Sequence, residues 1–221
     1  MVYLLIKNYK ILNWKFIMKS QRLSREFFLQ PTLETSKSFL GKYIVHRNGS
    51  KKIIGKIVET EAYIGTKDKA SHAFKGKRTP RNEIEYAIGG HIYIYLVYGM
   101  YWQLNIVTGP KDAPECVLIR AVEPVGKNHE SRIMNKELIN SSNGPGKLCK
   151  YFKLNKSHYG VDLCKSKKIW LEDPVPANSW SRLPNSQIVA AKRIGIDYAG
   201  PYWANIKWRF YIKDNSFVSK K

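Results

Sequence analysis

The most regular alternation of apolar and polar positions lies in residues 57–63, Ile-Val-Glu-Thr-Glu-Ala-Tyr. Residues two apart share one face of a β-strand, so the pattern predicts a strand with Glu59, Glu61 and Tyr63 on the same side. A carboxylate beside an aromatic ring, in surroundings of low polarity, has a raised proton affinity and can activate water. A surface strand with solvated acids shows the same alternation, so the pattern alone leaves both interpretations open.

The chain before this strand predicts a helix and a hairpin. Residues 31–40 are typical of a helix that has a proline in its first turn and is followed by a glycine. Residues 42–47 and 51–58 then flank Asn48-Gly49, a pair that tolerates positive φ and favours a tight turn between two strands. This hairpin leads the chain directly to the two carboxylates.

A second alternating stretch covers residues 91–102, which carry four tyrosines. Tyr93 and Tyr95 fall on one face of the predicted strand. A tyrosine in such a strand is either a half-buried core residue or part of the wall of a binding site, and the pattern does not decide between them for Tyr93.

The sequence Tyr98-Gly99-Met100-Tyr101 interrupts this strand with a glycine and predicts the tip of a hairpin. Large apolar side chains are unfavourable at a turn that is exposed to water. Tyr98, with Met100 and Tyr101 beside it, therefore suits a wedge that is inserted between base pairs of a nucleic acid.

Two further segments carry charged residues of interest. A largely apolar strand is predicted around Arg120, and a buried arginine requires a partner, for which Glu61 is the natural candidate. The polar segment 65–82, which holds His72 and Arg81, has the composition of a functional loop and equally that of a solvated surface loop.

The sequence Gly144-Pro145-Gly146-Lys147 combines flexible backbone, a proline suited to a helix start, and a lysine. Backbone amides at a helix N-terminus bind phosphate groups, so this segment is a candidate phosphate contact. It lacks the spacing of a P-loop.

The length of the chain bounds its domain organisation. With 221 residues, 43% of them hydrophobic, the chain can bury one substantial core and requires no second domain. Residues 1–17 alternate apolar groups with lysines, without a run long enough to span a bilayer and without the apolar core of a signal peptide. We expect an N-terminal extension over residues 1–17 and a single domain over residues 18–221.

The charge balance is strongly basic. The chain has 38 lysines and arginines against 17 acidic residues, a net charge of +21. Such a field attracts polyanions, and nucleic acid is the first candidate. A lysine-rich codon bias would produce the same balance, so charge alone supports nucleic-acid binding only modestly.

The cysteines and histidines do not suggest a metal site. The three cysteines form no Cys-x-x-Cys pair and the five histidines are scattered along the chain. Neither a zinc site, an iron–sulfur cluster nor a disulfide framework is expected.

Taken together, these stretches resemble the alkyladenine (3-methyladenine) DNA glycosylase family over about residues 39–218. The most specific segments, which occur in the family's order, are residues 58–63, 79–82, 93–101, 117–124 and 144–149. The resemblance implies an α+β fold: a single domain with a curved antiparallel β-sheet, flanked by helices, and a protruding β-hairpin. It also implies a hydrolase that starts base excision repair by removing alkylated purines from double-stranded DNA, without metal or cofactor.

The resemblance assigns catalytic roles position by position. It implies that Glu61 is the general base that deprotonates the water attacking C1′ of the damaged nucleotide. Arg120 and the backbone carbonyl of Ile194 are similar to the groups that hold this water. Trp102 and Gln103, beside the tip of the predicted hairpin, differ from the family pattern, which puts the neighbouring contacts in doubt but not the chemistry.

The remaining roles concern the base and the DNA backbone. Tyr63, His72 and Tyr95 resemble the aromatic box around a flipped base, with Tyr93 in the same pocket. Asn105 is similar to the residue that crowds the exocyclic amine of guanine and so favours adenine lesions. The family's intercalating wedge corresponds to Tyr98, with Met100 and Tyr101 beside it. We expect phosphate contacts from Arg81, Gly146 and Lys147.

The chemistry fits these residue types. Alkylation at N3 or N7 makes a purine cationic, so that it leaves easily and stacks well on electron-rich rings. The expected substrates are 3-methyladenine and 7-methylguanine, with neutral hypoxanthine slower. No lysine nucleophile is implied, so we expect a monofunctional enzyme without lyase activity, acting as a monomer in a bacterial-type cytoplasm.

A non-catalytic nucleic-acid-binding module with an intercalating aromatic wedge is the alternative. Glu61 discriminates between the two, because a carboxylate in the centre of a polyanion site repels the ligand and makes sense chiefly for catalysis.

Overall fold

The structure is a computed structural model, which describes residues 21–126, 142–174 and 183–220. The extension expected over residues 1–17 lies outside the described residues, and the boundary at residue 18 stays a prediction. The described part of the chain contains these strands: β1 (Gln21–Arg22), β2 (Tyr43–Asn48), β3 (Lys51–Ile64), β4 (Ile92–Val97), β5 (Tyr101–Thr108), β6 (Glu115–Val125), β7 (Ile169–Asp173), β8 (Ile188–Ala191) and β9 (Arg209–Ile212). Its α-helices are α1 (Arg25–Phe28), α2 (Thr32–Ser38), α3 (Pro145–Phe152) and α4 (Pro201–Asn205).

The strands form one open antiparallel sheet in the order β1-β7-β2-β3-β6-β5-β4, with β9 paired to both β3 and β8. The predicted α+β architecture with an antiparallel sheet is therefore confirmed. Long strand β3 is central. One of its edges pairs with β6, while the other pairs first with β2 and then, at Glu59–Glu61, with β9. The two carboxylates thus lie in the interior of the sheet.

Strand β3 is irregular at this point. Its pairing with β6 shifts register between Ile57 and Glu59 and again between Glu59 and Thr60. Such a bulge increases the local twist of a strand and re-aims its side chains. The irregularity coincides with the residues that carry the candidate chemistry.

The predicted hairpin before β3 is present, with a small difference. Asn48 pairs with Lys51, so the two-residue turn consists of Gly49 and Ser50, one position later than predicted. Gly49 supplies the positive φ, at 62°, that this turn requires. The predicted helix is also present as α2, and Pro31 caps it instead of lying in its first turn.

The main core lies between the sheet and the helices and is rich in buried phenylalanine. Phe27, Phe28 and Phe39 form one aromatic group, with ring centroids 5.4 to 6.1 Å apart. Helix α3 approaches the sheet closely where Gly55 lies in β3. A Cβ at Gly55 would lie 3.0 Å from the ring of Phe152 in α3. This close contact fixes the end of α3 against β3. The start of α3 lies beside the β4–β5 hairpin, where Gly146 packs against Tyr101.

Candidate active site

Glu61 is fully buried, and each of its carboxylate oxygens has a partner. Oε1 accepts a hydrogen bond from the Ile194 backbone amide at 2.8 Å, and Oε2 accepts one from the Tyr63 hydroxyl at 2.9 Å. Arg120 Nη1 lies 3.3 Å from Oε1. The expected contact between Arg120 and Glu61 is therefore present, whereas Ile194 meets Glu61 through its amide. The interpretation of this segment as a surface strand with solvated acids is wrong.

Arg120 also contacts the second carboxylate of the strand. Its Nε lies 3.1 Å from Glu59 Oε1, and Arg209 Nη1 lies 2.8 Å from the same oxygen. Burial alone would lower the pKa of Arg120, but the adjacent Glu61 and Glu59 carboxylates outweigh burial and raise it. Arg120 is therefore a permanent positive charge beside Glu61.

A cavity of about 480 Å³ opens directly in front of this cluster. Tyr63, Arg120 and Ile194 line it, and Glu61 lies behind these three residues. Other predicted site residues on its wall are His72, Arg81, Tyr93, Tyr95, Tyr98 and Asn105. The fold thus brings together the acid, the aromatic rings and the amide that the sequence placed in separate segments.

Three aromatic side chains form one side of the cavity. The ring of Tyr95 lies 4.7 Å from that of His72 and 5.0 Å from that of Tyr93, measured between centroids. Tyr93 is buried and also lines the cavity, so it is both a core residue and part of the wall. These rings offer an electron-rich face to a ligand.

His72 is held neutral by its surroundings. Its Nδ1 lies 2.6 Å from the Tyr93 hydroxyl. Burial first, and the charges of Arg81 and Lys77 next, lower the pKa of His72 to about 4. A neutral imidazole at this position does not repel a cationic ligand.

Asn105 is fixed at the deep end of the cavity. Its Nδ2 donates to the backbone carbonyl of Tyr93 at 3.2 Å, and its Oδ1 lies 3.9 Å from Cys116 Sγ. A side chain that is buried and hydrogen-bonded in this way has a fixed orientation. Asn105 can therefore restrict the shape of what enters.

The β4–β5 hairpin places large side chains at its tip. Tyr98 is 86% exposed, Met100 is 63% exposed and Tyr101 is 43% exposed. Tyr98 has a φ of 53° and Gly99 one of 67°, the left-handed conformation of a tight hairpin turn. The tip adjoins the cavity, because Tyr98 also lines it.

The three predicted phosphate contacts occupy different settings. The guanidinium of Arg81 lies 4.7 Å above the ring of Tyr95 on the cavity wall. Lys147 is exposed at the start of α3, with its Nζ 3.0 Å from Asn143 Oδ1. Gly146 packs against Tyr101, since a Cβ there would lie 2.9 Å from that ring. Gly146 thus has a clear packing role.

A buried ion pair that the sequence did not reveal supports the site. Arg193 Nη1 and Nη2 contact the two carboxylate oxygens of Asp68 at 2.5 and 2.9 Å, and both side chains are fully buried. This pair ties the segment 65–82 to the residue before Ile194. The segment is thus more than a solvated loop. The only sequence signal was an arginine that interrupts an apolar run.

The described residues hold neither a metal-binding cluster nor a membrane-spanning helix. Among residues 21–126, 142–174 and 183–220, no three histidine, cysteine or acidic side chains lie close enough to hold a metal ion. No helix in the same ranges is long and apolar enough to cross a membrane.

Comparisons with known proteins identify the family. The methylpurine-DNA glycosylase family matches residues 26–216. A protein of Clostridium novyi is 46% identical over 211 residues, covering 91% of this chain and 100% of the relative. Relatives from Alkaliphilus oremlandii and Borrelia garinii subsp. bavariensis are 43% and 39% identical, each covering 90% of this chain and all of the relative. All three carry the name "Putative 3-methyladenine DNA glycosylase". The chain therefore belongs to the methylpurine-DNA glycosylase family of DNA-repair enzymes.

Proposed function

We propose that this protein hydrolyses the N-glycosidic bond of 3-methyladenine in duplex DNA, after the damaged nucleotide has rotated out of the helix into the aromatic cavity. The observation that carries this proposal is the buried Glu61 carboxylate, which contacts Tyr63, Arg120 and Ile194 on the cavity wall. A buried acid with a fixed geometry beside an aromatic pocket is the arrangement that base excision requires.

In this mechanism Glu61 acts as the general base. A water molecule between Glu61 and the sugar transfers a proton to the carboxylate while its oxygen forms a bond to C1′. Arg120 holds a positive charge beside the Glu61 carboxylate, and the carbonyl of Ile194 accepts the second proton of the water in a hydrogen bond. The C1′–N9 bond breaks, and its electron pair moves to the base.

The cavity favours departure of a cationic base. 3-Methyladenine in DNA carries a positive charge, and the electron pair of the broken bond neutralises it. The base therefore leaves without a strong general acid. The rings of His72, Tyr93 and Tyr95 stabilise such a cation through their faces. By the same reasoning 7-methylguanine is a second substrate, although Asn105 crowds its exocyclic amine, and neutral hypoxanthine is slower.

Rotation of the nucleotide requires a group to fill the vacated stack. Tyr98 is suited to this because it is exposed at the tip of a tight turn next to the cavity, with Met100 and Tyr101 beside it. Unstacking a base costs a few kcal/mol, which an inserted side chain partly offsets. Arg81 and Lys147 would contact phosphates on either side.

Among the described residues that line the cavity there is no lysine, which supports attack by water over Schiff-base chemistry. We therefore propose that the reaction stops at an abasic site. As a separate proposal, the protein works as a monomer in the cytoplasm. The alternative, a non-catalytic binding module, is disfavoured by the position of Glu61 inside a site for a polyanion.

The first prediction tests the general base. Wild-type protein should release 3-methyladenine from methylated duplex DNA in EDTA, while Glu61→Gln should bind the same DNA and release base at least about a hundredfold more slowly, because the proton acceptor is lost. Released purines are measured by chromatography. DNA strands should stay intact until alkali is added, as expected without lyase activity.

Glu34→Gln is the matched control, since Glu34 lies on α2, pairs with Lys37 and does not line the cavity. It should release base at the wild-type rate. Normal turnover by Glu61→Gln would remove the catalytic base from the proposal. Lesion binding by a folded wild type that releases no base would favour the binding module.

A further inference from the structure

A second buried carboxylate, Glu85, lies on the wall of the same cavity. It is 1% exposed and belongs to the short 3₁₀ turn Glu83–Tyr86. Its Oε1 accepts a weak hydrogen bond from Cys116 Sγ at 3.4 Å. Its Oε2 is buried and has no hydrogen-bond partner in the part of the chain that the structure describes. A buried polar atom without a partner is rare and calls for an explanation.

The carboxylate of Glu85 also has no ion-pair partner among the described residues. Within the described ranges, no lysine, arginine or histidine nitrogen lies within 4.0 Å of its carboxylate. The titratable groups around it are Arg81, Tyr86, Tyr93, Tyr95, Cys116 and Tyr159. Of these only Arg81 carries a positive charge, and its guanidinium is placed over the Tyr95 ring. Burial raises the pKa of Glu85 to about 7.

The described side chains around Glu85 therefore form no ion pair with its carboxylate. A buried carboxylate is stabilised when an opposite charge or an N–H donor approaches it. The Asn82 side chain and the charge of Arg81 act on Glu85 in this direction, but burial outweighs them. The ligand of the cavity is the remaining source. A purine alkylated on a ring nitrogen brings a delocalised positive charge, and an adenine lesion also brings an exocyclic amine.

We propose that Glu85 is a recognition residue of the base cavity: its carboxylate pairs with the positive charge of an alkylated purine and so selects cationic lesions over neutral ones. This inference rests on the proposed glycosylase function. It assigns Glu85 to capture of the base and leaves bond cleavage to Glu61. As the glycosidic bond breaks, positive charge leaves the base, so a carboxylate beside the base stabilises the bound state more than the transition state.

The test separates capture from cleavage by single-turnover kinetics. Release of 3-methyladenine is measured against enzyme concentration, for wild type and Glu85→Gln, at pH 6, 7 and 8. At pH 8, where Glu85 is mostly ionised, Glu85→Gln should raise the half-saturating concentration about tenfold, because one attractive charge is removed from a partly desolvated site. The maximal rate should stay the same or rise.

The pH dependence of the half-saturating concentration gives a second check with the same two proteins. In the wild type the half-saturating concentration should fall from pH 6 to pH 8 as Glu85 loses its proton, while in Glu85→Gln it should be flat. Binding to a duplex with an abasic-site analogue, which places no base in the cavity, should be the same in both proteins at each pH.

Glu83→Gln is the control variant, because Glu83 lies in the same turn but forms an exposed pair with Arg78. It should behave as wild type. Thermal unfolding confirms that each variant is folded. Equal half-saturation and equal pH profiles for wild type and Glu85→Gln would overturn the inference alone. Absence of base release by the wild type would overturn the proposed function and this inference with it.

Discussion

Two acids two residues apart on β3 have different surroundings. Both carboxylate oxygens of Glu59 have partners. Arg120 and Arg209 donate to its Oε1, and the Ser219 backbone amide donates to its Oε2 at 2.7 Å. Glu61 shares Arg120, and its other partners are groups that line the cavity. Glu59 therefore positions the guanidinium that Glu61 depends on. The two carboxylates thus have different partners, a difference that strand alternation alone does not reveal.

A prediction at the residue scale concerns the buried pair Asp68–Arg193. Asp68→Asn leaves a guanidinium buried without an opposite charge, so we expect the free energy of unfolding to fall by about 3–5 kcal/mol. Denaturation in urea measures this loss. Base release should also slow, because Arg193 precedes the Ile194 amide that contacts Glu61.

The exposed pair Arg78–Glu83 provides the comparison for stability. Glu83→Gln should leave the free energy of unfolding almost unchanged, since exposed ion pairs contribute little. A similar small change for Asp68→Asn would show that the buried pair does not hold the segment 65–82 against the sheet.

The sequence identified the partners that a local pattern marks, and it missed those that no local pattern marks. Alternation alone placed Glu61 and Tyr63 together, and the isolated Arg120 in an apolar strand pointed to a buried acid. The contacts from Asp68 to Arg193 and from Glu59 to Arg209 span 125 and 150 residues. Such pairings depend on how the sheet is assembled and leave no local pattern.

At the scale of elements, the predicted strands and hairpins exist because their patterns are strong. The turn at Gly49 and the alternation of β3 and β4 specify local pairing. The insertion of β9 beside Glu59–Glu61 is different, because a four-residue strand near the end of the chain has no distinctive period. The pairing of the sheet around Glu61 therefore could not be derived from the sequence.

A prediction at this scale concerns the tip of the β4–β5 hairpin. Tyr98→Gly should bind lesion-containing duplex at least about tenfold more weakly, because no side chain fills the vacated stack. The free energy of unfolding should be unchanged or slightly higher. A tyrosine in the left-handed conformation is strained by about 1–2 kcal/mol, whereas glycine adopts it freely. Fluorescence anisotropy measures binding, and urea denaturation measures stability.

A second exposed tyrosine tests whether this effect is specific. Tyr202 in α4 is 71% exposed and does not line the cavity. Tyr202→Ser should keep its affinity for the lesion. Unaltered binding by Tyr98→Gly would show that the tip is not an intercalating wedge.

At the scale of the whole molecule, the net charge is +21. DNA binding then depends on where the positive charges lie as well as on how many there are. The cavity, the hairpin tip and the start of α3 lie together, since Tyr98 and Pro145 line the cavity and Gly146 packs on Tyr101. Lys52 lies on β3 nine residues before Glu61, about 30 Å along an extended strand, and it does not line the cavity. If the DNA covers the surface around the cavity and the start of α3, a positive charge there contributes more to DNA binding than a positive charge at Lys52.

The last prediction compares two lysines that carry the same charge at these two places. Lys147→Ala should weaken binding to damaged and undamaged duplex alike and should reduce the slope of log affinity against log salt by about one, since one phosphate contact is lost. Lys52→Ala lowers the net charge by the same amount, yet it should leave the slope unchanged. Affinities measured by anisotropy between about 50 and 200 mM salt give both slopes. Equal changes in the two variants would mean that the protein attracts DNA through its overall charge, and that the surface around the start of α3 is not the binding face.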